Sequence, residues 1–137
     1  MRNRKTAWIL AVGLGMTAFA GCGSEEMKNY EQAAQDLEAE NFDVALQEYE
    51  AAISAGVKLA QSYRGAGVAN LRLGNYEQAI EDFNHALNSD KVGKALKKDI
   101  LSYRAAAYLK TKAYDEAMAD CQSIAESYDM DADLYFL

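Results

Sequence analysis

The sequence predicts an all-α fold built from antiparallel helical hairpins. Between Tyr63 and Leu87, apolar residues follow helical spacing on both sides of a break at Leu73-Gly74-Asn75, which indicates two helices of about a dozen residues each. In the second helix the apolar positions recur at i, i+3, i+4 and i+7, the spacing of a single buried face. These positions are Tyr76, Ala79, Ile80, Phe83, Ala86 and Leu87. Half of the residues are apolar, which suits helix-on-helix packing.

The break between the two helices has the residues that a tight turn requires. Gly74 tolerates the left-handed backbone that often ends a helix. Asn75 is predicted to cap the next helix, with Gln78 three residues later in an arrangement close to a capping box. Small residues, here Gly67 and Ala79, leave room for an aromatic ring of a neighbouring helix. The short Gly-Ala-Gly run at 65–67 lies inside a helix, so close packing explains it better than a phosphate loop does.

The hairpin recurs along the chain. The shift that carries Tyr76 back onto Phe42 carries the other apolar positions of the second helix onto Ala45, Leu46, Tyr49, Ala52 and Ile53. A slightly longer forward shift gives Tyr114, Ala117, Met118, Cys121, Ile124 and Ala125. A helix-turn-helix period of about 34 residues resembles the tetratricopeptide repeat (TPR).

The TPR resemblance covers nearly all of the chain after residue 25. The chain departs from the family in having no proline, which TPR units commonly carry at their end. The resemblance implies an α-solenoid of about three units, at 26–58, 59–91 and 94–128, with 131–137 as the start of a fourth unit or a truncated cap.

The first 21 residues resemble a bacterial lipoprotein signal peptide. A short basic start precedes Thr6–Ala20, which carries no charge and is shorter than the roughly 20 residues that span a bilayer as a helix. The run Phe19-Ala20-Gly21-Cys22 resembles a lipobox, which implies that Cys22 receives a lipid and becomes the new N-terminus. Residues 22–25 are then a lipidated cysteine with a short tether, and the protein is anchored on the extracytoplasmic face of a bacterial membrane. An uncleaved anchor and an ordinary secretory signal are the alternatives.

The charge balance excludes some classes of partner. Without the basic residues of the signal segment, 11 basic and 21 acidic residues remain, a net charge of −10. Nucleic acid requires a basic face, so it is not a predicted partner. Anionic lipid headgroups should also repel such a chain, so attachment to a membrane needs the lipid. The many carboxylates are interpreted as solvated helix faces rather than a catalytic pair, among them Asp36, Glu38, Glu40, Asp43, Glu48, Glu50, Glu81 and Asp82.

Few residues are candidates for chemistry. His85 is the only histidine and shares a helix face with Glu81 and Glu77, but this set of groups is too small and too common to predict a metal site. Cys121 occupies the repeat position of Tyr49 and Phe83 and is predicted to be a buried, inert thiol. We therefore predict no catalytic residue, no metal and no cofactor, and the chain is not expected to be an enzyme.

The TPR resemblance implies that a protein or peptide binds in a concave groove lined by the first helix of each unit. The groove residues are Tyr30 and Leu37 in unit one, Gln61, Arg64, Val68 and Arg72 in unit two, and Ser102 and Lys110 in unit three. The basic residues among them favour an acidic segment or a C-terminal carboxylate, although they are equally explained as local charge balance. The paired lysine and asparagine of chaperone-binding TPR domains are absent.

The preferred hypothesis is a lipid-anchored TPR scaffold that mediates protein–protein interaction at the outer side of a bacterial membrane. A second hypothesis is a structural envelope protein that associates with itself through its C-terminal end, where Leu134–Leu137 are apolar and resemble the first turn of a fourth unit. A third is an accessory subunit of a cell-wall or secretion enzyme complex.

Overall fold

The structure is a computed structural model that describes the backbone of residues 22–133 and the side chains of residues 25–128. Within this part the chain is all-α, with six helices and no strand. The helices are α1 (Cys22–Glu38), α2 (Phe42–Ser54), α3 (Leu59–Leu73), α4 (Tyr76–Asn88), α5 (Lys94–Lys110) and α6 (Tyr114–Asp133). Each helix packs on its neighbours along the chain, and α3 also contacts α1 and α5. The predicted all-α class and the break between α3 and α4 are confirmed.

The three turns inside the helical pairs share one backbone geometry. Gly74 has φ of 87°, and Glu40 and Lys112, at the same place in the other two turns, have φ of 63°. In each turn the next backbone N–H reaches back five residues to a carbonyl, at 2.8–2.9 Å, which satisfies a carbonyl that the helix end leaves without a partner. The left-handed turn predicted at Gly74 is therefore confirmed, and two residues with side chains adopt it as well.

The capping box predicted at Asn75 is wrong. The side chain of Asn75 makes no cap hydrogen bond; its Nδ2 donates to Asn70 Oδ1 at 3.1 Å. The amide of Gln78 donates to Asp82 Oδ1 at 3.4 Å, one turn further along α4. Asn75 instead ties the end of α3 across the turn, because a buried Asn70 offers it an acceptor.

The core follows the repeated apolar positions of α2 and α4. In both helices the two alanines and the central aromatic residue are buried, and the other three positions are half-buried. A Cβ atom added to Gly65 would collide with the ring of Tyr49, and one added to Gly67 would lie 2.6 Å from Phe83 Cε1. Close packing, predicted as the reason for these glycines, is confirmed.

Unit three departs from the pattern. Ala117 is buried like its equivalents, but Tyr114 and Met118 are each 60% exposed and Cys121 is exposed. The prediction of a buried Cys121 is wrong, because no helix in the described part of the chain lies beyond α6 to cover this face.

Two predicted boundaries also differ from the structure. Residues 23–25, expected to be a tether, belong to α1, which begins at Cys22 and has Glu25 in its first turn, where a negative charge favours the helix. Helix α6 continues to Asp133, so the first residues assigned to a fourth unit extend α6. Leu134–Leu137 lie outside the described residues, as does the signal segment at 1–21.

Candidate functional site

The residues predicted to form the groove lie on α1, α3 and α5, the first helices of the three pairs. Because α3 contacts both α1 and α5, these helices form one continuous side of the molecule. Tyr30 and Leu37 are on α1, Gln61, Arg64, Val68 and Arg72 are on α3, and Ser102 and Lys110 are on α5.

On α1 both groove residues are half-buried. The ring of Tyr30 meets the ring of Tyr49 edge to face, with centroids 6.1 Å apart, and the Nζ of Lys58 lies 4.6 Å from the Tyr30 centroid. Burial raises the pKa of Tyr49 to about 12, so its hydroxyl remains protonated. Leu37 packs against the cores on both sides of it. Both groove residues of α1 are therefore packed against other parts of the fold.

Arg64 is engaged by its own chain. Its Nε donates to Asp99 Oδ2 at 2.7 Å, and its guanidinium lies 5.1 Å from the ring centroid of Tyr103. The pair links α3 to α5. Because both side chains are partly exposed, at 28% and 42%, the bridge itself contributes little, about 0–1 kcal/mol. A carboxylate that approached Arg64 would compete with Asp99.

The remaining groove residues divide into one core residue and four surface residues. Val68 is buried beside Phe83 and Ile100, so it supports the groove more than it lines it. Gln61, Arg72, Ser102 and Lys110 are exposed. Arg72 and Lys110 occupy the last turns of α3 and α5, where a positive charge favours the helix, and neither is in an ion pair with a described residue.

A buried ion pair between α5 and α6 was not predicted. Arg104 donates twice to Asp120, from Nε at 2.9 Å and from Nη2 at 2.5 Å, and its Nη1 donates to Asn84 Oδ1 at 2.6 Å. Asp120 is only 4% exposed. The hydrogen bonds to Asp120 raise the pKa of Arg104. This fork joins α4, α5 and α6, and its geometry is that of a structural clamp.

The interpretation of the carboxylates as solvated helix faces is wrong at Asp82 and Glu48. Asp82 is 7% exposed and accepts a hydrogen bond from Asn70 Nδ2 at 2.8 Å; burial raises its pKa. Glu48, at the same repeat position in α2, is half-buried, and burial, with repulsion from Asp36, raises its pKa. Asp120 completes the set in α6. Carboxylates at this repeat position face α1, α3 or α5 rather than water.

The acidic repeat position was recognisable in the sequence. Glu48, Asp82 and Asp120 are related by the same two shifts that align the apolar residues of the three units. An acidic residue kept at one position of every unit, beside the buried aromatic position, predicts a polar contact inside the repeat. Arg104 gave no comparable signal, because the equivalent position of α3 is Ala66.

The other chemical candidates are His85 and the side chains around a cavity at the start of α5. His85 is exposed and stacks on Tyr63, with ring centroids 4.9 Å apart. Within the described residues there is no group of three histidine, cysteine or carboxylate side chains placed to hold a metal ion. A cavity of about 170 Å³ at the start of α5 is lined by Lys94, Lys97, Lys98, Leu101, Ser123 and Ser127. Both serine hydroxyls donate to carbonyls of their own helix.

Cys22 is the first residue of α1, and the lipobox that precedes it lies outside the described residues. None of the helices within 22–133 is long and apolar enough to cross a bilayer. A comparison of the chain with protein-family models finds no match.

Proposed function

We propose that the chain is a lipid-anchored TPR scaffold that holds a protein or peptide against the side formed by α1, α3 and α5. The observation that carries this proposal is the agreement between the sequence period and the burial. Equivalent positions of α2 and α4, from Phe42 and Tyr76 onward, have the same degree of burial at all six apolar sites, and each helix packs on its chain neighbours. Such agreement supports a repeated structural unit of the TPR kind.

Anchoring at Cys22 is supported by the sequence before it, which resembles a lipobox. A helix that starts at the lipidated residue leaves no flexible spacer, so the repeats would lie close to the outer surface of the bacterial membrane. Two or three acyl chains, at about 0.8 kcal/mol per buried methylene, hold a protein on a membrane stably. The function is then recruitment: the lipid fixes the position and the groove binds the partner, without an enzymatic step.

The partner chemistry follows from the exposed cations. Arg72 and Lys110 lie in the last turns of neighbouring first helices and form no ion pair with a described residue. We propose that these two cations bind an acidic segment or the C-terminal carboxylate of the partner. Arg64, oriented by Asp99 and Tyr103, serves as a secondary contact.

The groove is tested with acidic peptides that end in a free carboxylate or in an amide. Arg72→Glu combined with Lys110→Glu is expected to abolish binding at low salt, and the difference from wild type should fade as salt screens exposed charges. The matched control replaces two exposed lysines away from these positions, Lys28→Glu with Lys91→Glu, and should keep binding. Equal binding by wild type and the groove variant would place the site elsewhere. Arg64 is left intact, because a glutamate there would face Asp99.

The anchor is tested separately with Cys22→Ser, since only a thiol can be alkylated to a thioether. Wild type should enter the detergent phase and carry a mass increase from acylation, whereas the variant should have neither property. A wild type without the mass of the acyl chains, or equal partition of both proteins, would exclude a lipid on Cys22.

A further inference from the structure

An exposed seam runs along α6 on the face that is covered in α2 and α4. Its members are spaced by four, three, four and three residues: Tyr114, Met118, Cys121, Ala125 and Tyr128. All five are exposed, three of them at 60% or more. This alternation of four and three is the spacing with which one helix packs along another.

The equivalent faces of α2 and α4 show which kind of element covers such a seam. The equivalent residues of α2 and α4 are buried or half-buried (Phe42, Leu46, Tyr49 and Ile53; Tyr76, Ile80, Phe83 and Leu87). Tyr49 packs on Gly65 of α3. Phe83 stacks with Tyr103 of α5, with the two ring centroids 6.2 Å apart. In both cases the covering element is a helix, so the α6 seam has the shape for a further helix.

The charge beside the seam selects among possible helices. Two exposed carboxylates, Asp115 and Glu126, follow it on one flank, with the neutral Gln122 between them. At the far end of the seam the Nζ of Lys98 lies 3.9 Å from the ring centroid of Tyr128. A second copy of α6 would bring like charges together across the contact. A helix with basic residues beside its apolar stripe would instead place opposite charges there, which favours encounter and register.

We propose that the α6 seam binds an amphipathic helix of a partner protein, with apolar residues at heptad spacing and lysine or arginine on its flanks. This site is separate from the groove on α1, α3 and α5, and it does not depend on the proposed function. Cys121 lies in the middle of the seam, so its thiol reports directly whether the seam is covered.

The experiment measures how fast a maleimide modifies Cys121 of the full chain, with the modified cysteine identified by mass. The probe is a synthetic peptide of about 21 residues, three heptads, with leucine at the core positions and lysine on the flanks. A second peptide carries glutamate in place of each lysine. The basic peptide is expected to slow modification by about tenfold at low salt, while the acidic peptide leaves the rate unchanged; salt should reduce the protection.

Two substitutions locate the effect. Met118→Glu should remove the protection, whereas Val44→Glu, which adds the same charge at a 48% exposed apolar residue of α2, should preserve it. Because both residues are exposed, far-ultraviolet circular dichroism should show unchanged helicity. Equal protection by the two peptides, no protection, or protection that survives Met118→Glu would each overturn the proposal. Protection that grows with protein concentration in the absence of peptide would overturn it in favour of a second copy.

Discussion

Gly65 offers a test in which helix propensity and packing predict opposite signs. It lies in the middle of α3, where alanine is favoured over glycine by about 1 kcal/mol. On propensity alone, Gly65→Ala should stabilise the protein. The structure predicts the reverse, because the new methyl would lie 2.5 Å or less from three atoms of the Tyr49 ring.

The magnitude follows from how little the ring can move. Tyr49 is 3% exposed and is packed among Ala33, Ala45 and Ala66, each 0–1% exposed. Overpacking of this kind costs about 1–3 kcal/mol, and here the upper end applies since three ring atoms must give way. Subtracting the propensity gain leaves a net loss of about 2 kcal/mol, or roughly 6–12 °C in Tm for a domain of this size.

The assay is thermal and urea unfolding followed by circular dichroism, with Tyr49→Ala and the double variant completing a cycle. Removing the ring makes room for the methyl, so Gly65→Ala should become neutral or stabilising in the Tyr49→Ala background. A coupling of at least about 1 kcal/mol is expected between two residues in direct contact. An unchanged or higher Tm for Gly65→Ala alone would show that the ring does not rest on the Gly65 backbone.

Three further predictions concern the turns and the core. Glu40→Gly should raise the free energy of unfolding by about 1 kcal/mol, because Glu40 has φ of 63°, where glycine is favoured. Gly74→Ala should lower the free energy of unfolding by a similar amount. Thermal melts in which both variants shift Tm in the same direction would contradict this prediction. Asp82→Asn should stabilise the protein most at neutral pH, because burial raises the Asp82 pKa. Above the unfolded pKa, ionisation of Asp82 lowers the free energy of unfolding of the wild type. The stability difference between the variant and the wild type should therefore shrink as pH falls towards about 4. A difference independent of pH in urea titrations would exclude the ionisation of Asp82 as its cause. Ala79→Leu, at a site with no exposed area, should cost about 1–3 kcal/mol, and an unchanged melt would contradict its place in the helix contact.

The sequence predicted the parts of the fold that depend on local pattern. Apolar spacing located the helices around Gly74, and the repeat alignment predicted the burial of Ala45 and Tyr49 from that of Ala79 and Phe83. Glycine packing against aromatic rings was also predictable, because only a residue without a side chain admits a ring at that distance. These features repeat, so each unit supports the interpretation of the others.

The failures concern side chains whose partners come from other helices. Cys121 was predicted to be buried because it shares a repeat position with Tyr49 and Phe83. Burial at that position requires a following helix, and the repeat alignment does not show whether one is present. Asn75 was predicted to cap α4, but its side chain donates to Asn70 Oδ1 instead. Among the groove residues, Arg64 is already paired with Asp99, and the sequence gives no indication of this contact between α3 and α5.

Packing between chain neighbours also has a kinetic consequence. Nearly all helix contacts join elements adjacent in sequence, so each hairpin can form early without closing a long loop. Of helices α2 to α5, α3 has the most buried residues. Within the described residues α3 contacts four other helices, whereas α1 contacts two and α6 contacts one. Amide hydrogens in α3 and α4 should therefore exchange slowest with deuterated solvent, and exchange should spread from α1 and α6 towards α3 as denaturant is added.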